Sequence, residues 1–582
     1  MADRYTEFGL VYRLIDLTAK DDTSSTFTNA MYSSNSSLVN VDSFNPYMTM
    51  EHNFSVLDGG KGEFPVTPED IGMFSSVRSN SSAAYTSKPK ITIVTGDYHT
   101  TCAITMIFVE DYPKQATAKF YRDSVLIADI TLEIDSLDFV VDTPVILYNK
   151  VVIEFDSTNI PDRYVKMRGV LFGKIVTWDE TTISNASLTQ DMSRISDMLS
   201  IDTLSFELID LDNSLNFGNQ DGLYKFFQRK QEMFPYEIVD DQKIPLGKFY
   251  LDTYSYESSL GKMQAVSFLG LMDGISFEEG DLYNGVRAEV VIDKIFEVCG
   301  FTDYTVDDET ADQLLYGALP PTTARDALRQ VLFACNSILD NIDSQSAIHI
   351  CKSSGAQIYE MNRDTKISTK VTKQAYVSGV EVQFPQYTLQ NDISEISKDE
   401  YEVGPHRVVF NTPCLPSSLT ITGGTLTKTA TYYAEFTVAT AGEVIISGKQ
   451  YAVVNKKLTE STAYIDPGEI ENIVKYTSNL CNQATAKLLA KKLLKYHTSF
   501  SLYLEVKHIA SDITMNDLRA VQNESPVCDN YLGIFSGRTF DLTGGFIDDA
   551  KLLAYFNDYD YYYYTSGNTG NEELYSGNNT LL

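Results

Sequence analysis

The chain has 582 residues, enough for roughly three to five folded units at about 100–200 residues each. With 43% hydrophobic and 21% charged residues it is neither disordered nor collagen-like. Lys and Arg number 46 against 79 Asp and Glu, a net charge of -33 that repels phosphate backbones and excludes a general nucleic-acid binder.

The 37 Tyr and 30 Phe, against the single Trp178, suit pleated, half-buried surfaces, so the chain is expected to be mainly β. MADRYTEFGL lacks the basic stretch and apolar core of a secretory signal, and export by that route is not expected. No apolar run approaches the roughly 20 residues of a membrane-spanning helix. The seven cysteines are odd in number, widely spaced and without a CxxC pair, which signals neither a disulfide framework nor a zinc cluster.

Residues 1–85 are rich in Ser, Asn, Thr and Gly and read as an irregular arm. From 90 to 176 the β-like runs KITIVTG, CAITMIFVED, ATAKFYRD, VLIADITLEI, TPVILYNKVVIEF and YVKMRGVLFGKIV recur about every ten residues, as in an antiparallel β-sandwich. Arm and sandwich form a unit over 1–172. The next, 173–285, is expected to be a β-barrel or curled sheet, with Leu204, Phe206 and Leu208 on one face and Ser205 and Glu207 on the other.

A small helical insert follows over 286–345. Val291, Ile295 and Cys299 recur at helical spacing ahead of a Gly300 C-cap, and Thr323 with Asp326 resembles a capping box after Pro320-Pro321. Residues 346–374 read as a connecting β segment. The unit 375–550 carries an inserted β subdomain at 405–460 and a helix over 466–496, opened by Asp466-Pro467-Gly468-Glu469. The Tyr-rich tail 551–582 is too short to be a domain.

The chain contains no HExxH, GxSxG or strand-following GxGxxG, and GGKG at 59–62 sits in Ser-rich coil. Of six histidines none pairs at i+3 or i+4; His349 alternates within the strand AIHI as an ordinary strand residue. His99-Thr-Thr-Cys102 has the spacing of half a zinc site without a second half. DLDNSLNFGNQD from Asp210 places oxygen donors as a calcium loop does, but Leu215 replaces the required Gly and no helices flank it, so it reads as a polar turn. No catalytic residue, cofactor or metal is expected, and the chain is not expected to be an enzyme. Tyr559-Asp560 and the four tyrosines after it suit either a docking segment or a final strand.

Residues 170–345 hold, in order, a strand ending in FELIDLD, an LGKFYLD strand, a SFLGLMDGI segment, a helix ending in CGF and a second helix of the ARDALRQVLFA type. This succession resembles the hub or tail-associated proteins of bacteriophage tails and related contractile injection particles. The preceding sandwich, ending in YNKVVIEFDSTNIPDRYVKMRGVLFGKI with Pro161-Asp162-Arg163-Tyr164, is similar to discoidin-like modules.

The resemblance implies a homotrimer with two hub-type barrels per subunit, 173–285 and 375–550, so that three chains make a ring of six. It implies a virion tail component assembled in the host cytoplasm. Its partners would be distal tail-tube proteins and a tip or fibre protein, with DNA only as transiting cargo. Phe206, Leu208, Tyr250, Tyr254 and Tyr256, with Tyr561, Tyr562 and Tyr563 of the tail, are the candidate interface residues. The alternative is an adhesin whose sandwich binds a cell-surface glycan; a third reading is an acidic glycosidase.

Overall fold

The structure is a computed structural model that describes residues 6–33, 38–39, 73–108, 112–239, 241–340, 348–353, 358–462, 468–510, 515–525 and 528–555. The chain is mainly β, as expected, with a small helical insert. Its first strand, β1 (Thr6–Ile15), points Phe8, Leu10, Tyr12 and Leu14 into a core. This part of the arm is not irregular: alternation of apolar side chains at period two makes it a strand, and the Ser- and Asn-rich text starts only after it. GGKG lies outside the described residues.

The N-terminal unit expected as a sandwich is one hydrogen-bonded antiparallel sheet built on two long strands, β2 (Lys90–Phe108) and β3 (Asp138–Thr158), paired from Lys90↔Glu154 to Ile107↔Asp138. The strands Pro113–Arg122 and Val125–Glu133 extend it beyond β3. Register shifts between Val94 and Ala103 mark bulges, which bend and twist a strand, and the sheet encloses Ile91, Ile104, Met106, Phe120, Tyr148 and Phe155.

One strand serves both the N-terminal sheet and the next. In β4 (Lys166–Trp178), residues 167–172 pair with β2 and residues 173–178 pair with β1. The switch falls at Gly173, whose φ is +141° and where a Cβ would lie 2.1 Å from the Leu14 carbonyl oxygen. Only glycine fits so close an approach.

Five strands complete the first curled sheet: β5 (Ile183–Asp191), β6 (Thr203–Ile209), β7 (Glu232–Val239), β8 (Phe249–Glu257) and β9 (Leu260–Val266). Their order is β4-β1-β7-β8-β9-β6-β5, antiparallel throughout. Leu10, Leu188, Leu204, Met233, Phe249 and Met263 fill its core.

The insert holds α1 (Ala288–Cys299), β10 (Tyr304–Val306), α2 (Ala324–Cys335), β11 (Ile338–Asp340) and β12 (Ile348–Cys351). Gly300 caps α1 in the left-handed conformation and Thr323 accepts the Asp326 N–H at the start of α2, both as the sequence predicts. β12 lies between β10, to which it is parallel, and β11, to which it is antiparallel.

The second curled sheet starts inside the segment expected to be a connector, with β13 (Ile358–Met361) and β14 (Lys366–Lys373). By contrast β15 (Gly379–Leu389) lies in a separate sheet with Tyr451–Ser461 and β16 (Ile473–Thr477), on which α3 (Gln483–Ser499) packs. The helix expected over 466–496 therefore begins later: β-branched, alternating IVKYT makes a strand, and Asn482 caps α3 through a capping box with Thr485. Asp466 and Pro467 lie outside the described residues. Between Ser394 and Gly448, short strands enclose a small core around Phe436 and Ile446.

The second sheet is completed by β17 (Leu502–Ile509), β18 (Leu518–Val521), β19 (Tyr531–Asp541) and β20 (Ile547–Tyr555), in the order β14-β17-β20-β19-β18-β13. A backbone ladder from Ser187↔Asp541 to Asp191↔Gly537 pairs β5 with β19 and fuses the two sheets. Among the described residues no ladder returns to an earlier strand, so the two units expected as barrels are curled sheets that do not close.

Candidate assembly interface

The candidate interface residues of the first unit separate into three environments. Phe206 and Leu208 point into its core at 3% and 1% exposure, opposite Met263 and Gly261, and are not available to another chain. The alternation that marked them as one face marks the inner face. Tyr250 is also buried, with the Lys248 ammonium 5.5 Å from its ring centroid.

Tyr254 and Tyr256 do not continue the row that Tyr250 begins. A bulge between Leu251 and Thr253 inserts one residue, so Tyr254 faces the side that Leu251 faces while Tyr250 faces the other. Tyr254 is half-buried and its hydroxyl donates to the Leu215 carbonyl; burial, then the nearby Asp210, raises its pKa. Tyr561, Tyr562 and Tyr563 lie outside the described residues.

The Leu215 carbonyl belongs to the turn-rich loop that resembled a calcium site. Its oxygens are engaged by its own backbone: Asp210 accepts the Leu215 N–H, Asp212 that of Ser214, Asn216 that of Gly218 and Asn219 that of Asp221. This is a series of side-chain-capped turns. Leu215, at the position a calcium loop reserves for glycine, is buried and rests against Gly261, where a Cβ would come within 2.8 Å of its Cδ1.

That anchored loop carries Phe217, 53% exposed, to the surface above Tyr254. Rings then run inward without a break: Phe217 to Tyr254 at 5.2 Å, Tyr254 to Phe227 at 4.9 Å, Phe227 to Tyr12 at 5.9 Å, Tyr12 to Trp178 at 5.2 Å and Trp178 to Phe206 at 6.0 Å. Leu211, 89% exposed, lies on the same loop. An exposed aromatic braced by buried ones is the arrangement that carries binding energy at protein interfaces. Sequence reasoning missed Phe217, whose only signal was a Phe within the polar run NSLNFGNQ.

His99 is not half a zinc site. It is buried between two carboxylates, Nδ1 donating to Asp16 at 2.7 Å and Nε2 to Asp22 at 2.9 Å, where β1 ends against the bulged part of β2. Burial lowers its pKa, but the two carboxylates outweigh burial and leave it raised. Cys102 is buried in the first core instead. A large open groove of about 1170 Å³ lies between the insert and β15, lined by Tyr283, Tyr316, Tyr387, Tyr451, Lys456 and Lys457. It has no His or carboxylate among its described lining residues.

No known family description matches the chain, and no curated protein does. Among solved structures it is similar to the tail protein from Neisseria meningitidis MC58, at 10% identity and a TM-score of 0.40 over 67% of this chain and 96% of that one. It is similar to the 43 kDa tail protein of prophage MuSo2 from Shewanella oneidensis, at 10% identity and a TM-score of 0.38 over 66% and 96%. A third, prophage tail protein gp18 from Listeria monocytogenes, shares 11% identity with a TM-score of 0.35 over 66% and 91%. All three are described as tail proteins.

Proposed function

We propose that the chain is a structural hub protein at the distal end of a phage or phage-like tail, joining the tail tube to the tip or fibre apparatus. The observation that carries this reading is the fusion of two curled sheets in one chain by the β5–β19 ladder. Three such chains place six sheets around one axis, which converts the threefold symmetry of a tip into the sixfold symmetry of a tube. The succession of motifs over 170–345 supports the same reading, and the Phe217–Tyr254 aromatic surface is the face offered to a partner.

The net charge of -33 supplies a mechanism for a channel wall. Acidic side chains facing DNA repel its phosphates, so the genome slides past rather than sticking. Immunogold labelling of whole particles tests the position. Label at the tail tip is expected; label on the capsid, along the tube or on no particle would refute it.

A further inference from the structure

His349 and Cys351 stand two residues apart on β12 and so face the same side of their sheet. β10 runs parallel beside them with Thr305 opposite His349, which brings Asp307, two residues on, to that same side. On the other flank Asp340 of β11 pairs opposite His349. Asp307, His349 and Cys351 thus converge from 42 residues apart, with one donor atom of each within 4.8 Å of the others.

Two further observations single out this cluster. Asp307 occupies the N-cap of the short helix Asp308–Ala311, where a carboxylate ordinarily caps the first turn, yet its side chain makes no capping bond and meets His349 Nε2 at 2.8 Å instead. The other ring nitrogen, Nδ1, is buried with no hydrogen-bond partner among the described residues, an arrangement folded proteins rarely leave uncompensated.

We propose that Asp307, His349 and Cys351 bind a zinc-like divalent cation, with a fourth tetrahedral position open. A thiolate beside an imidazole and a carboxylate favours zinc over magnesium or calcium, which take oxygen ligands. Binding forms a metal–sulfur bond and releases the Cys351 proton to solvent. The Asn516 amide, from the segment before β18, donates to Cys351 Sγ at 3.8 Å, so the site faces the segment that leads into the second sheet.

The test is a cobalt titration of the full chain after chelator treatment. One equivalent of Co²⁺ is expected to give a near-ultraviolet thiolate-to-cobalt band that Zn²⁺ abolishes, and Zn²⁺ is expected to raise the Tm. Cys351→Ser and His349→Gln are expected to abolish the band. Asp307→Asn is expected to weaken cobalt binding at least about tenfold, the loss that even an outer-shell change brings. Cys528→Ser, at the exposed cysteine, is expected to leave it intact. No band in the wild-type chain, or a band that survives both Cys351→Ser and His349→Gln, would overturn the proposal. Should Cys351→Ser fail to fold, His349→Gln decides alone, since its ring lies near the surface.

Discussion

The two curled sheets enclose cores of different chemistry. The first is filled by aliphatic and aromatic side chains; its polar links include Tyr12 donating to Gln231, with the Glu237 carboxylate buried opposite Phe8. The second buries ions. Arg538 donates to Asp548 at 2.6 Å and His508 approaches the same carboxylate at 3.1 Å, with all three side chains at most 8% exposed. Arg519 is enclosed between the rings of Tyr359 and Phe535, at 4.6 and 4.7 Å. Arg194, from the segment after β5, reaches into this half and donates to the carbonyls of Phe535 and Met515. An apolar core tolerates repacking, whereas a buried ion pair tolerates little once one partner is gone. The fusion at β5–β19 therefore joins a forgiving sheet to an exacting one.

The largest expected effect breaks the exacting side. Asp548→Ala removes the buried carboxylate that Arg538 and His508 share and is expected to cost about 3–5 kcal/mol in urea unfolding, while joint replacement of Arg538, Asp548 and His508 by apolar residues of similar volume costs far less. A small loss for Asp548→Ala alone would show that the pair is not the organising element of that core. On the forgiving side, Leu208→Ala is expected to cost about 3 kcal/mol without changing self-association, because Leu208 is core. A change in association with stability intact would return Leu208 to an interface.

Acid and base separate the regions further. Burial alone would raise the pKa of Asp548, but Arg538 and His508 outweigh it and hold it below the usual carboxylate range. Its contribution is complete above the unfolded value near about 3.9 and is lost as pH falls through the lower folded one. His99 has the opposite sign. With its folded pKa raised, its contribution is complete below about 6.5 and is lost as pH rises through the folded value. His99→Gln is expected to flatten the alkaline slope of a stability–pH profile and, by removing the hydrogen bond that lowers the Asp22 pKa, to soften the acid slope as well. The smallest stability effect belongs to the surface: Phe217→Ser is expected to change stability by less than about 0.5 kcal/mol while weakening association, read by sedimentation.

The same contrast explains what was legible in the sequence. Alternating apolar runs disclosed the strands of the N-terminal unit and of the first curled sheet, and the Gly300 and Thr323 caps disclosed both insert helices. The second core was hidden because Arg519, Arg538 and Asp548 read as surface residues in any pattern based on hydrophobicity. The α3 boundary was misplaced because Asp466-Pro467 imitates a helix start while the alternation of IVKYT, which contradicts it, is short. The Asp307–His349–Cys351 cluster was invisible for a third reason: strand pairing, not spacing, brings it together. One inserted residue in β8, which no spacing discloses, sets Tyr250 on the opposite face from Tyr254.

The proposed hub subunit works as a ring of three. Its most direct test is the solution mass of the purified full chain by sedimentation equilibrium, with particle averaging of the same sample by electron microscopy. The account predicts three times the 65.1 kDa chain mass and a threefold ring with six lobes around an open channel. A monomer at all concentrations, or a closed dimer without a channel, would contradict it.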